Sequence, residues 1–256
     1  MMPLNPDTVV PTRESSLALL GRVFYGSCSW LVFVTITLVL LFLLIVVPGI
    51  DRRRRMAGMA SRLILWCCAV PLTVRGANYL PSGQCVVAAN HASYIDAIVI
   101  KAVLPERYTY VVKREMVSVP LAGLLLQRLG TEFVERFNRH KGSLDARRVL
   151  RTATSGQSLV FFPEGTFEGK PGLLKFHSGA FKIAAYAGCP VLPCVILGTR
   201  DILPSPNFFP KLGAIEVQLL PPITAPAGLE PEESARLLRE QTRAAILERL
   251  SEPDHG

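Results

Sequence analysis

The chain has 256 residues, half of them hydrophobic, and a mean hydropathy of +0.33; that is enough for one large α/β domain plus an apolar appendage, and high for a purely soluble protein. The net charge of +8, with a pI of about 9.4, suits anionic lipid, phosphorylated substrates or nucleic acid equally. The six cysteines have neither CxxC nor Cys/His metal spacing, so they read as small buried hydrophobes in a reducing compartment, and nothing asks for a disulfide scaffold or a zinc module.

Residues 1–12 are polar and contain proline, and 1–22 form an N-terminal tail. From Val23 to Ile50 there are 28 residues without a charge. Eighteen helical residues already reach about 27 Å, close to the hydrocarbon thickness of a bilayer. Tyr25 and Trp30 sit near one end, as interfacial aromatics do, and Pro48-Gly49 ends the run. A signal peptide fits poorly, because the apolar core is long and no small-x-small cleavage site follows it. Arg52, Arg53, Arg54 and Arg55 come next and outweigh Arg13 and Arg22 on the other side, so the positive-inside rule keeps the remainder cytoplasmic, at the inner membrane, with the cluster against an anionic leaflet. Residues 56–70 carry a second apolar run, too short to span. It reads as an interfacial helix, or as the second arm of a hairpin dipping into one leaflet over 23–70.

The globular part is 71–256. Strands are expected at 72–75, 84–89, 108–112, 131–134, 158–162, 191–197 and 215–220. Helices are expected at 121–129, 144–152, 180–187 and 232–250, the last with an acidic first turn. The run at 97–103 reads as a helix or a further strand, and Ser93 as a helix N-cap. The alternation predicts an α/β fold with a largely parallel central sheet flanked by helices, carrying an N-terminal membrane helix or helical hairpin.

Four strand ends carry polar groups, and an open α/β sheet keeps its crevice at such ends. The first is Asn90-His91-Ala92-Ser93-Tyr94-Ile95-Asp96. His91 and Asp96 would not share a face of one helix, but meet if His91 lies in the turn and Asp96 in the first helical turn. Asp96 would then fix the imidazole tautomer and leave the other nitrogen as a base; a capped helix with a satisfied histidine is the plainer alternative. The second is Lys113-Arg114-Glu115, the third runs from Gly130 to Arg136, and the fourth is Phe162-Pro163-Glu164-Gly165-Thr166-Phe167. Lys113 and Arg136 suit a phosphate, and Gly165 permits close backbone approach. Taken singly, Arg136 reads as a solvated surface arginine and Glu164 as a turn former. A Gly-x-Ser-x-Gly elbow is absent, against an acyl-enzyme hydrolase route, and so is a Gly-x4-Gly-Lys-Ser/Thr loop for ATP.

His91-x4-Asp96, the Gly130–Arg136 stretch, Phe162-Pro163-Glu164-Gly165-Thr166 and 191–195 resemble, in this order, the four blocks of the glycerolipid acyltransferases, the bacterial lysophosphatidate (1-acylglycerol-3-phosphate) acyltransferases above all. The resemblance covers roughly residues 70–225. It implies an acyl-CoA or acyl-ACP co-substrate, a lysophospholipid or glycerol-phosphate acceptor, phospholipid biosynthesis at a lipid bilayer, and no metal. It also implies His91 as general base with Asp96 behind it, Arg136 and Lys113 at the acceptor phosphate, and Glu164, Gly165 and Thr166 shaping the same site. The chain departs from the pattern at Phe167, where the family usually continues with arginine or another polar residue. The same chemistry on another lysolipid or amphiphilic alcohol is the near alternative. A non-catalytic, anionic-lipid-binding membrane protein is the distant one, and it has no need of the His91/Asp96 pair. No nucleic-acid partner is expected, because the basic residues flank an apolar run and no nucleic-acid motif occurs.

Overall fold

The computed structural model describes residues 16–135 and 139–256; the tail read at 1–12, Arg13 and the motif residue Arg136 lie outside them. Two long helices come first, α1 (Ser16–Val46) and α2 (Ile50–Cys67). Strands and helices then alternate as β1 (Leu72–Arg75), β2 (Val86–Ala89), α3 (Asp96–Val103), β3 (Tyr108–Lys113), α4 (Ala122–Arg128), β4 (Glu132–Val134) and α5 (Arg139–Thr154). They continue as β5 (Ser158–Phe161), α6 (Gly179–Ala187), β6 (Val191–Leu197), α7 (Thr199–Ile202), β7 (Ile215–Leu219) and α8 (Pro231–Leu250).

The run left open at 97–103 is helical. It buries Asp96 in its first turn and then Val99, Ile100, Lys101 and Ala102 in succession, so it is covered on most of its circumference. Ser93 does not cap it as expected: its Oγ donates to the Leu203 carbonyl at 2.8 Å, pinning the turn to the segment after α7.

The strand order is β1-β7-β6-β2-β5-β3-β4. Every neighbouring pair is parallel except β6–β7, so β1 and β7 run against the other five. The reversal falls at the β6–β7 link. Residues 198–214 carry only the single-turn α7, and the chain returns antiparallel on the edge of β6. Alternating side chains feed two cores. Val87, Ala89, Leu192, Cys194 and Ile196 pack with Leu65 of α2 and Val99 and Ile100 of α3. Val86, Ala88, Val191 and Val195 pack with Val149 of α5, Phe181 of α6 and Leu238 and Ile246 of α8.

Within α1 the stretch Leu19–Val46, 28 residues, is long and apolar enough to cross a membrane. Yet α1 touches the domain at its middle and near its C-terminal end. Trp30 Nε1 donates to the Phe208 carbonyl at 2.7 Å, and Leu40 and Leu44 pack with Ala57 of α2 and Leu125 of α4. Residues 30 to 44 cover about 21 Å of helix, so the second half of α1 lies along the domain, while Leu17 and residues 19–24 stay exposed. The arginine cluster is divided among distinct tasks. Arg53 Nε donates to Val47 O at 2.8 Å, Arg54 Nε donates to Leu129 O at 3.0 Å, and Arg55 pairs with Glu106 at 2.7 Å.

Candidate active site

β2 is buried on both faces and stops at Asn90, whose side chain closes two bonds to one residue of the neighbouring β6: Nδ2 donates to Ile196 O at 3.0 Å and Oδ1 accepts Ile196 N at 2.7 Å. This fixes the point where the chain leaves the sheet. His91 follows, and its backbone N–H donates to Glu164 Oε1 at 2.6 Å, while Leu174 N donates to Oε2 at 2.8 Å. Glu164 thus holds the His91 turn to its own loop with both oxygens. Burial pushes its carboxyl up to about 7, opposed by the two amides and by the charge of Arg200. Gly165, at φ +76°, gives that loop a left-handed turn, its N–H donating to Phe162 O at 3.0 Å.

Asp96 is the first residue of α3 and is fully buried. Its Oδ2 accepts His91 Nδ1 at 2.8 Å, Ala92 N at 2.7 Å and Ser93 N at 2.8 Å; Oδ1 is buried with no partner among the described residues. A carboxylate only accepts, so Nδ1 keeps its proton and Nε2 carries the lone pair. Nε2 has no hydrogen-bond partner among the described residues, and the His91 side chain is 18% exposed. The imidazole stacks on Phe162, centroids 4.3 Å apart, and contacts Phe167 at 4.4 Å. Tyr94 meets Phe167 edge-on at 4.7 Å and stacks on Phe208 at 5.6 Å. The nitrogen that could act as base is therefore reachable but set among rings. Behind the turn an apolar cavity of about 130 Å³ lies between α1, α2 and α3, lined by Trp30, Phe33, Leu65, Tyr94, Ile95 and Ile98 among others.

The sheet brings the other strand ends alongside. Ala88 pairs with Phe161 and Tyr110 with Val160, so continuing the register puts Asn90, Pro163 and Lys113 abreast. Lys113 itself pairs with Val134. β3 lies two strands from β2, about 10 Å at the usual spacing. Lys113 is exposed and makes no ion pair among the described residues. Its neighbour Arg114 is committed: it grips Asp145 with Nε at 3.1 Å and Nη2 at 2.5 Å. Thr166 is exposed in the turn after Glu164.

A family description reading Acyltransferase matches residues 71–197. A lyso-ornithine lipid O-acyltransferase of Pseudomonas aeruginosa is 30% identical over 224 residues, covering 78% of this chain and 82% of that one. The chain belongs to the acyltransferase family. A chloroplastic 1-acyl-sn-glycerol-3-phosphate acyltransferase of Brassica napus is also 30% identical, over 211 residues; the chain spans 60% of its length. In fold the chain is similar to the crystal structure of the 1-acyl-sn-glycerophosphate acyltransferase of Thermotoga maritima, with a TM-score of 0.73 at 20% identity, covering 90% of this chain and 96% of that one. In this acyltransferase the His-x4-Asp pair occupies the end of a central strand, between β5 and β6.

Sequence reasoning missed three supports. Asn90 stood beside His91 at a strand end, and that position was the available signal. The ring contacts of Phe162 and Phe167 need the folded turn. The third support is distant in sequence: Glu252 accepts Gly172 N at 2.7 Å and pairs with Arg200 at 3.2 Å, and Leu173 N donates to Pro253 O at 2.9 Å. Chain beyond α8 thereby holds the loop that carries Glu164, and no local motif announces it.

Proposed function

We propose that this acyltransferase moves a fatty acyl group from acyl-CoA or acyl-ACP to the free hydroxyl of 1-acylglycerol-3-phosphate, giving phosphatidic acid. The observation that carries this reading is the His91 Nε2 lone pair, oriented by the Asp96 bond at 2.8 Å and left without a partner among the described residues. A thioester is already activated, so a base on the acceptor hydroxyl is sufficient. Nε2 takes the hydroxyl proton as the oxygen attacks the thioester carbonyl. The tetrahedral intermediate expels the thiolate, which recovers that proton from the imidazolium. An ester and a free thiol leave, and His91 returns to its starting form. Asp96 stabilises the transient imidazolium. The reading takes no metal and no cofactor beyond the acyl thioester.

Lys113 and Arg136 serve the acceptor phosphate, the lysine as a point charge and the arginine as a fork. Glu164, Gly165 and Thr166 shape the acceptor side through the turn that Glu164 ties to His91. The apolar cavity beside Tyr94 and Ile95 takes acyl chain. Residues 23–70 anchor the protein and 71–256 form the catalytic domain. Because α1 docks on that domain from Trp30 to Leu44, the hairpin enters the bilayer from one side and the domain stays at the cytoplasmic face of the inner membrane. Labelling an introduced cysteine within 231–250 tests this: an impermeant reagent reaching it from outside intact cells refutes the orientation.

A second acceptor is favoured by one observation. Phe167 packs on the imidazole at 4.4 Å where a polar residue would offer a phosphate donor, and one relative is named for a lyso-ornithine lipid. Purified protein, acyl-CoA and a panel holding lysophosphatidate, lyso-ornithine lipid and lysophosphatidylcholine, read by thiol release, separates the two. Preference for lysophosphatidate supports the first reading; preference for the ornithine lipid replaces it with the second.

A further inference from the structure

Residues 165–173 lie between β5 and α6 and carry Phe167, one of the two rings against the His91 imidazole. Glu164 closes the two ends of this loop, one oxygen on His91 N and the other on Leu174 N. That closure leaves the middle without support of its own. Residues 165–173 include three glycines and a proline, and among the described residues no backbone hydrogen bond joins any two of 166–171. Glu168, Gly169 and Lys170 are exposed, so burial does not fix them either. Yet Phe167 precedes them with its ring held 4.4 Å from the imidazole and 4.7 Å from Tyr94.

The support comes from Arg200, on the single-turn α7. Its side chain is 13% exposed. Nη1 donates to Glu168 O at 2.6 Å and to Lys170 O at 2.7 Å, one on either side of Gly169. Nη2 pairs with Glu252 Oε2 at 3.2 Å, and the same oxygen accepts Gly172 N at 2.7 Å. One planar guanidinium thus ties together three points of a loop that does not tie itself. Gly169 fits under this clamp because it has no Cβ: one would fall 2.2 Å from Ser205 O, on the segment after α7. Leu203 O of that segment accepts Ser93 Oγ at 2.8 Å. The chain from Arg200 to Ser205 therefore touches both the His91 turn and the loop laid against it.

We propose that Arg200 is a positioning residue for acyl transfer, holding the 168–172 arm so that Phe167 stays against the His91 imidazole. Arg200 touches no reacting atom and acts through Phe167. An apolar ring has no hydrogen bond to anchor it, so the backbone beyond it has to be held. With the ring in place one side of the base is kept from water and its orientation is limited; with the arm released both are lost. The proposal rests on the reading of His91 as the base for acyl transfer.

The test is a double-mutant cycle between Arg200→Met and Phe167→Ala in the full chain. Thiol release is one measurement, and the rate at which diethyl pyrocarbonate modifies His91 is the other. Each single variant lowers kcat about tenfold with the acyl-CoA KM nearly unchanged, and the double variant is no slower than Phe167→Ala. His91 is modified severalfold faster in all three. Arg200→Lys keeps a donor for one carbonyl and recovers part of kcat. Gly169→Ala displaces the same arm with Arg200 intact and gives the same pattern, so the result does not depend on Arg200→Met folding. Losses that multiply in the double variant overturn the proposal, since Arg200 then acts elsewhere than through Phe167. So do a parent-like kcat and His91 reactivity in folded Arg200→Met and Gly169→Ala. A parent that transfers no acyl group contradicts the proposed reaction instead, and the His91 modification rates, which need no turnover, then decide the positioning alone.

Discussion

One oxygen of Asp96 gathers three donors: His91 Nδ1 at 2.8 Å and the backbone amides of Ala92 and Ser93 at 2.7 and 2.8 Å. The two amides fix the carboxylate, and the fixed carboxylate aims the ring. Asp96→Asn leaves the size unchanged but replaces an acceptor-only group by one that can also donate, so the imidazole loses its enforced tautomer. Thiol release should fall by about 10²–10⁴, with a native circular dichroism spectrum. A kcat within a fewfold of the parent contradicts the role given to Asp96.

Glu164 offers a prediction in pH. Its folded value near 7 lies above the ordinary 4.5, so its protonated form is the one the fold favours. The stability it contributes is fully present below about 4.5 and is lost as pH rises through about 7, on the order of 3 kcal/mol at most. Glu164→Gln cannot titrate. The difference in unfolding midpoint between parent and variant should therefore shift across pH 4.5–7 and level off above it. A difference that stays constant over that range refutes the buried, titrating carboxyl.

Much of the fold was legible because its signals are local. Buried strands such as 191–197 are continuous apolar runs, whereas the run at 97–103 is buried on most sides as a helix and so carries no periodicity that separates helix from strand. The reversal of β1 and β7 was not legible, since an apolar run marks a strand but not its direction. At the site, His91 and Asp96 announced themselves by type and spacing. Asn90, Glu252 and the ring contacts of His91 act across 106, 80 and 71 or more residues of sequence, or only after folding, so no window of sequence holds both partners. The arginine run was legible as a charge cluster but not in its division of labour: Arg53, Arg54 and Arg55 meet Val47, Leu129 and Glu106.

Lys113 and Arg136 carry the claim that the acceptor bears a phosphate. Lys113→Ala should cost about 1.5 kcal/mol of acceptor recognition, roughly tenfold in kcat/KM, and Arg136→Ala about 2 kcal/mol. Both losses should be larger for lysophosphatidate than for an acceptor lacking a phosphate monoester, with the acyl-CoA KM nearly unchanged. Equal losses on both acceptors would move these residues to the donor or to structure.

Phe167 separates the two acceptor readings. Phe167→Arg places a guanidinium beside His91 in place of a ring 4.4 Å from it. The ratio of kcat/KM for lysophosphatidate over lyso-ornithine lipid should rise about tenfold. An unchanged ratio shows that this position does not read the headgroup.

The central claim is that His91 Nε2 is the base for acyl transfer, and the most direct measurement is single-site replacement followed by thiol release. His91→Ala, purified in detergent with the parent's unfolding profile, is assayed with acyl-CoA and the preferred lysolipid. The account predicts a fall of about 10²–10⁴ in kcat with little change in KM; near-normal turnover by the folded variant contradicts it.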